Sequence, residues 1–218
     1  MPSATTNLRK ADSRMEPRWP AAVAMIATGW LNMGLPDAFS AGPHWLLLVL
    51  VIVLLLPTIF THRTGRHDLN RICGYLVSGV ITVFLAWSVA MLVLLLPTHR
   101  EPPKVLLESA AALWIANVLV FACWYWRLDG GGPHARDIAD RHSAGAFLFP
   151  QMTRPPEENP GWSPEFLDYL FLAFNTSTAF SPTDTAVLTR WAKVLMMTQS
   201  IISLTVIAIL AARAVNIL

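Results

Sequence analysis

Hydroxyl, amide and carboxylate side chains crowd one stretch of an otherwise apolar C-terminal quarter: Asn175, Thr176, Ser177, Thr178, Ser181, Thr183, Asp184 and Thr185, with Pro182 among them. Such groups bind ions, water or small polar solutes, and each needs a partner when it leaves water. At helical spacing Asn175, Thr178 and Pro182 share a face near Thr185, while Ser177, Ser181 and Asp184 share another. Hydroxyls therefore point to more than one side. Two readings follow. The groups can bind neighbouring helices together, or they can form a polar permeation or ligand site around Pro182, which would break the helix and free backbone carbonyls. The candidate site residues are Asn175, Thr176, Thr178, Ser181, Pro182, Thr183 and Asp184, with Glu108 and Asn117 as secondary candidates.

No other constellation points to chemistry. Zinc-protease, serine-elbow, P-loop and dinucleotide signatures are absent, so an enzyme is not expected. The histidines, His44, His62, His67, His99, His134 and His142, fall in or beside connecting segments without metal-ligand spacing, and no metal or cofactor is expected. Cys73 and Cys123 read as small buried hydrophobes. Glu108 stands about a turn from Lys104, its expected partner.

The elements that must hold these residues are membrane helices. The chain of 218 residues is 54% hydrophobic and 14% charged, against roughly 25% charged in soluble domains. Its apolar residues fall in runs near the ~20 residues a helix needs to cross a bilayer. Six runs are visible, at about 20–36, 44–60, 73–97, 105–126, 164–186 and 190–217. The fold class expected is all-α, a polytopic transmembrane helical bundle whose fifth segment is the one that could be broken or re-entrant.

The domain reading is a flexible basic tail over 1–18, a four-helix membrane region over 19–127, an extramembrane loop over 128–163 and a C-terminal helix pair over 164–218. The first run is the weakest span. Its small residues Ala38-Phe39-Ser40-Ala41 mimic a signal-cleavage site, but the long polar lead and the immediate second run favour retention. Trp124-Tyr125-Trp126 followed by Arg127 reads as an interfacial belt. Phe147-Leu148-Phe149 is an apolar patch in the loop.

Charge sets the orientation. With six spans and the N-terminus inside, twelve of the sixteen Lys and Arg are cytoplasmic, and only Arg100, Lys104, Arg190 and Lys193 are outside. This is the positive-inside bias. A fifth run re-entering from outside would turn the tail and the basic loop 61–72 outward, leaving three inside against thirteen outside, or seven against nine with the first run not crossing. The expectation is a bacterial inner-membrane protein with both termini cytoplasmic. Its implied partners are the lipid bilayer and further copies of itself, and a net charge of +2 gives no argument for nucleic acid.

The run Phe174-Asn175-Thr176-Ser177-Thr178-Ala179-Phe180-Ser181-Pro182-Thr183-Asp184 resembles the pore helix and selectivity filter of potassium channels, with Thr176, Thr178 and Asp184 at matching positions. Arg190-Trp191-Ala192-Lys193 and Ala211-Ala212-Arg213 are similar to the inner helix of two-helix channel modules. Ala179 to Thr183 replace the filter's threonine and two glycines, so the resemblance implies a pore-like segment without the usual potassium filter. More widely, Trp124 to Pro133, Phe147 to Met152 and Ala179 to Thr185 resemble a family of bacterial membrane proteins of unassigned function. That likeness implies architecture and inner-membrane location and no activity. The functional expectation is channel-like or transporter-like passage of ions or small solutes. The alternative is an interaction protein docking a partner through Phe147, Phe149 and the Arg/Asp pairs of loop 128–163.

Overall fold

A computed structural model describes residues 16–63, 67–96, 101–138, 145–155, 162–178 and 184–215. Among them are seven α-helices: α1 (Trp19–Met33), α2 (Trp45–Arg63), α3 (His67–Leu95), α4 (Pro103–Leu128), α5 (Pro133–Ile138), α6 (Phe166–Thr178) and α7 (Arg190–Val215). Two short strands, β1 (Phe147–Leu148) and β2 (Ala186–Val187), pair antiparallel with Phe147 opposite Val187.

Proline and glycine punctuate the helices. Pro20 and Pro103 occupy the first turns of α1 and α4, where no backbone donor is missed. Pro57 lies inside α2 without ending it, as membrane helices tolerate. At the end of α4 the chain turns through Gly130, Gly131 and Gly132 at φ +58°, +81° and +95°, a left-handed run that side chains with a β-carbon resist.

Helices α3, α4 and α7, of 29, 26 and 26 residues, are apolar and long enough to cross a membrane. At 1.5 Å per residue they reach about 39–44 Å. The apolar part of α2, Trp45–Thr58, is shorter. Their outward side chains, including Val83, Leu94, Val194, Ile201 and Leu204, are large, apolar and more than 60% exposed. Water would penalise such a surface, whereas hydrocarbon would not.

The contacts order the bundle end to end. Arg18, just before α1, pairs with Asp137 of α5 at 3.1 Å, and Tyr75 near the start of α3 stacks on Trp124 near the end of α4. Asn70 donates to the Thr58 carbonyl, joining α3 to the end of α2. All of these lie at one end of the bundle, the end of Asp129. At the opposite end Arg213 of α7 donates to the Leu96 carbonyl after α3. Trp19 and Val215 therefore lie at opposite ends.

The fifth apolar run differs from the six-span expectation. Among its described residues 13, Phe166–Thr178, form a helix, about 20 Å long and short of the ~30 Å hydrocarbon layer. Helix α6 starts at the Asp129 end, where Phe166 packs edge-on against Trp126. It reaches the level of Trp114 and Ser203 by Phe174 and Ser177. The chain is back at the Asp129 end by β2, which pairs with β1, and Leu188 donates to the Ala146 carbonyl at 2.8 Å. The described parts of the run, 164–178 and 184–186, thus begin and finish at the same end.

Candidate functional site

The polar run of α6 faces helices of its own chain. Gln199 of α7 is fully buried, and its Nε2 donates to the Ala173 carbonyl and to Ser177 Oγ, both at 2.7 Å. Its Oε1 accepts from the Tyr125 hydroxyl of α4 at 2.5 Å. Asn117 Nδ2 donates to the Gln199 carbonyl at 3.2 Å. One turn on, Ser203 donates to the Ser177 carbonyl and accepts from Trp114 Nε1. Small hydroxyls let α4, α6 and α7 approach, and the amide of Gln199 ties all three.

The candidates that are described fall in several places. Asn175 is half-buried, and its carbonyl accepts from Thr178 Oγ1 at 3.0 Å. Thr176 is buried and donates within its own helix to the Leu172 carbonyl. Asn117 is buried beside Gln199 with Oδ1 lacking a partner. Asp184 is exposed at the bundle end, apart from this network. Ser181, Pro182 and Thr183 lie outside the described residues. Glu108 is exposed and sits 3.8 Å from Lys104 one turn away, an ordinary surface pair.

A second cluster closes the end of the bundle. The Asp129 carboxylate is fully buried; Oδ1 accepts from the Ala146 amide at 2.6 Å and more distantly from the Phe147 amide, and Oδ2 accepts from the Tyr169 hydroxyl at 2.7 Å. It thereby holds β1 and the first half of α6 to the end of α4. Gly145 is required here, since a β-carbon would come within 2.3 Å of Asp129 Oδ1 and 2.6 Å of the Gly130 nitrogen.

Arg136 of α5 completes this clasp. It is buried, donates to the carbonyls of Trp126 and Asp129 at 2.8 Å, pairs with Glu16 at 2.9 Å and lies over the Tyr169 ring. Glu16 also accepts from Trp126 Nε1, and its backbone amide donates to Asp137. Burial holds the Glu16 carboxyl above its ordinary pKa of 4.5, against the lowering effect of Arg136.

Two expectations about this end do not hold. Tyr125 and Trp126 are buried, with Phe147 packed on Tyr125 at a ring separation of 5.2 Å, so the aromatic cluster is core and not a lipid-facing belt. Successive helical residues point about 100° apart, and here α3, α6 and the loop cover these sides. Phe147 and Phe149 are likewise buried, the first among Tyr125, Tyr169 and Trp191, so neither is offered to a partner.

The polar residues at membrane depth picked out in the sequence include Ser177 and Asn117, without the Gln199 and Ser203 of α7 that join them. The sequence gives no sign that Glu16, Asp129, Arg136 and Tyr169 come together. The only local signal was Asp129 beside three glycines. Among the described residues no group of three or more His, Cys, Asp or Glu side chains is placed to hold a metal ion. No family model matches the chain, and searches of curated proteins and of solved structures return no significant match.

Proposed function

We propose that this chain is a multi-pass protein of a bacterial inner membrane in which the re-entrant segment 164–186 serves the passage of an ion or small solute. The observation that carries the reading is α6: 13 helical residues that enter the bundle from the Asp129 end, with the chain back at that end by β2. Broken helices at membrane depth persist where protein buries them or where they line a polar cavity, and transporters and channels use their ends to meet ions. The C-terminal end of α6, at Asn175–Thr178, directs the negative pole of its dipole into the bundle, which favours a cation.

Charge supports an orientation with the Asp129 end in the cytoplasm. Assigning each Lys and Arg to the end its chain neighbours occupy leaves only Arg100, Lys104 and Arg213 at the far end, and thirteen of sixteen at the Asp129 end. This count is stronger than that of six spans. A segment re-entering from the cytoplasmic side keeps the tail and the basic loop inside, so the charge objection applies only to a segment entering from outside.

The test is flux. Purified protein reconstituted in liposomes is challenged with potassium, sodium and proton gradients, alongside Thr178→Ala and Asp184→Ala. Passage above protein-free liposomes that changes with either substitution is expected. Leakage equal to protein-free liposomes for every gradient would overturn the reading.

A further inference from the structure

Arg127, in the last turn of α4 at the Asp129 end, is a buried cation with no ion pair among the described residues. The residue is only 8% exposed, and its Nε has no hydrogen-bond partner. Its guanidinium lies 5.4 Å from the centre of the Trp126 ring and rests on the backbone of α3 at Gly74. There a β-carbon would come within 1.6 Å of Nη1, so glycine makes the seat.

Three largely buried carboxylates at this end are already held. Glu16 is held by Arg136 and Trp126, Asp137 by Arg18, and Asp129 by Tyr169 and two amides. Among the described residues the ionisable groups that act on Arg127 are Cys123, Tyr75 and Arg18, and none of them is a carboxylate. The negative pole of α4 and the Trp126 ring offset part of its charge. A full positive charge removed from water still calls for a counter-charge.

We propose that Arg127, where the end of α4 packs on α3 at Gly74, is a binding site for a phosphate-bearing anion, with the headgroup phosphate of an anionic phospholipid as its occupant. A guanidinium matches phosphate with two parallel donors. Basic pockets between membrane helices near the interface recognise lipid headgroups in this way. The inference rests on the membrane reading and is independent of transport, so a protein that passes no ion can still hold the lipid.

The experiment measures thermal unfolding of the purified full chain in neutral detergent, with added phosphatidylglycerol, phosphatidylcholine or inorganic phosphate. Phosphatidylglycerol should raise the midpoint more than phosphatidylcholine does, and Arg127→Gln should weaken its apparent affinity roughly tenfold, with Arg127→Lys between. Gly74→Ala keeps the charge but displaces the guanidinium, and should weaken the response even if Arg127→Gln folds poorly. A response to inorganic phosphate that equals the lipid's and is lost in Arg127→Gln supports the site with free phosphate as its occupant. The proposal is overturned if phosphatidylglycerol acts no better than phosphatidylcholine and inorganic phosphate has no effect. It is also overturned if folded Arg127→Gln responds as the wild type does.

Discussion

Replacing Asp129 separates the clasp from the rest of the fold. Asp129→Ala removes two short bonds to a charged acceptor, from the Ala146 amide at 2.6 Å and the Tyr169 hydroxyl at 2.7 Å, and strands both donors in a dry site. Bonds to charged groups contribute about 1.5–3 kcal/mol each, so a loss of about 3–6 kcal/mol is expected, a large part of a typical domain's stability. Asp129→Asn keeps the shape. Its carbonyl can accept from the amides and its NH₂ can donate to the Tyr169 oxygen, so the cost should be about 1 kcal/mol. Tyr169→Phe leaves Oδ2 without a donor and should cost about 1.5–3 kcal/mol. Equilibrium unfolding in mixed micelles with graded SDS, followed by tryptophan fluorescence, ranks the three. Asp129→Ala costing less than about 1 kcal/mol, or Asp129→Asn costing as much as Asp129→Ala, would refute this account of the clasp.

Two further predictions use the same assay. Gln199→Leu removes three interhelical bonds, and at about 0.6 kcal/mol each, with an upper range near 1.7, it should destabilise by about 2–5 kcal/mol; a neutral result would show that the network does not join α6 to α4 and α7. Glu16 titrates above its ordinary 4.5 because it is buried. Folding therefore raises its proton affinity, and its contribution is full below pH 4.5 and lost as pH rises through the raised value. Glu16→Gln should flatten that part of the stability–pH curve, and an unchanged slope would exclude Glu16 as its source.

The long apolar runs were legible because their length and composition are the physical requirement for crossing hydrocarbon, and α6 begins at Phe166, close to residue 164 where the fifth run was expected to start. The path of the fifth run was not. A polar helical pattern says which faces need partners, not whether the chain continues or turns back. What shows the return is a pair of two-residue strands, too short to carry an alternating pattern. Asp129 was hidden for a related reason, since its partners stand 17 and 40 residues along the chain. The aromatic cluster was misread because Trp-Tyr-Trp-Arg has the same composition at a lipid boundary and in a core. Orientation by charge depended on the assumed direction of re-entry, which is a tertiary property.

The re-entrant path is tested most directly by single cysteines at Arg154, Asp184, Leu188 and Lys104, in a chain with Cys73 and Cys123 replaced, probed on intact cells with a membrane-impermeant thiol reagent. The account predicts that Arg154→Cys, Asp184→Cys and Leu188→Cys are all protected until the membrane is permeabilised, while Lys104→Cys labels at once. Labelling of Leu188→Cys in intact cells alongside protection of Arg154→Cys would put the ends of segment 164–186 on opposite sides and contradict it.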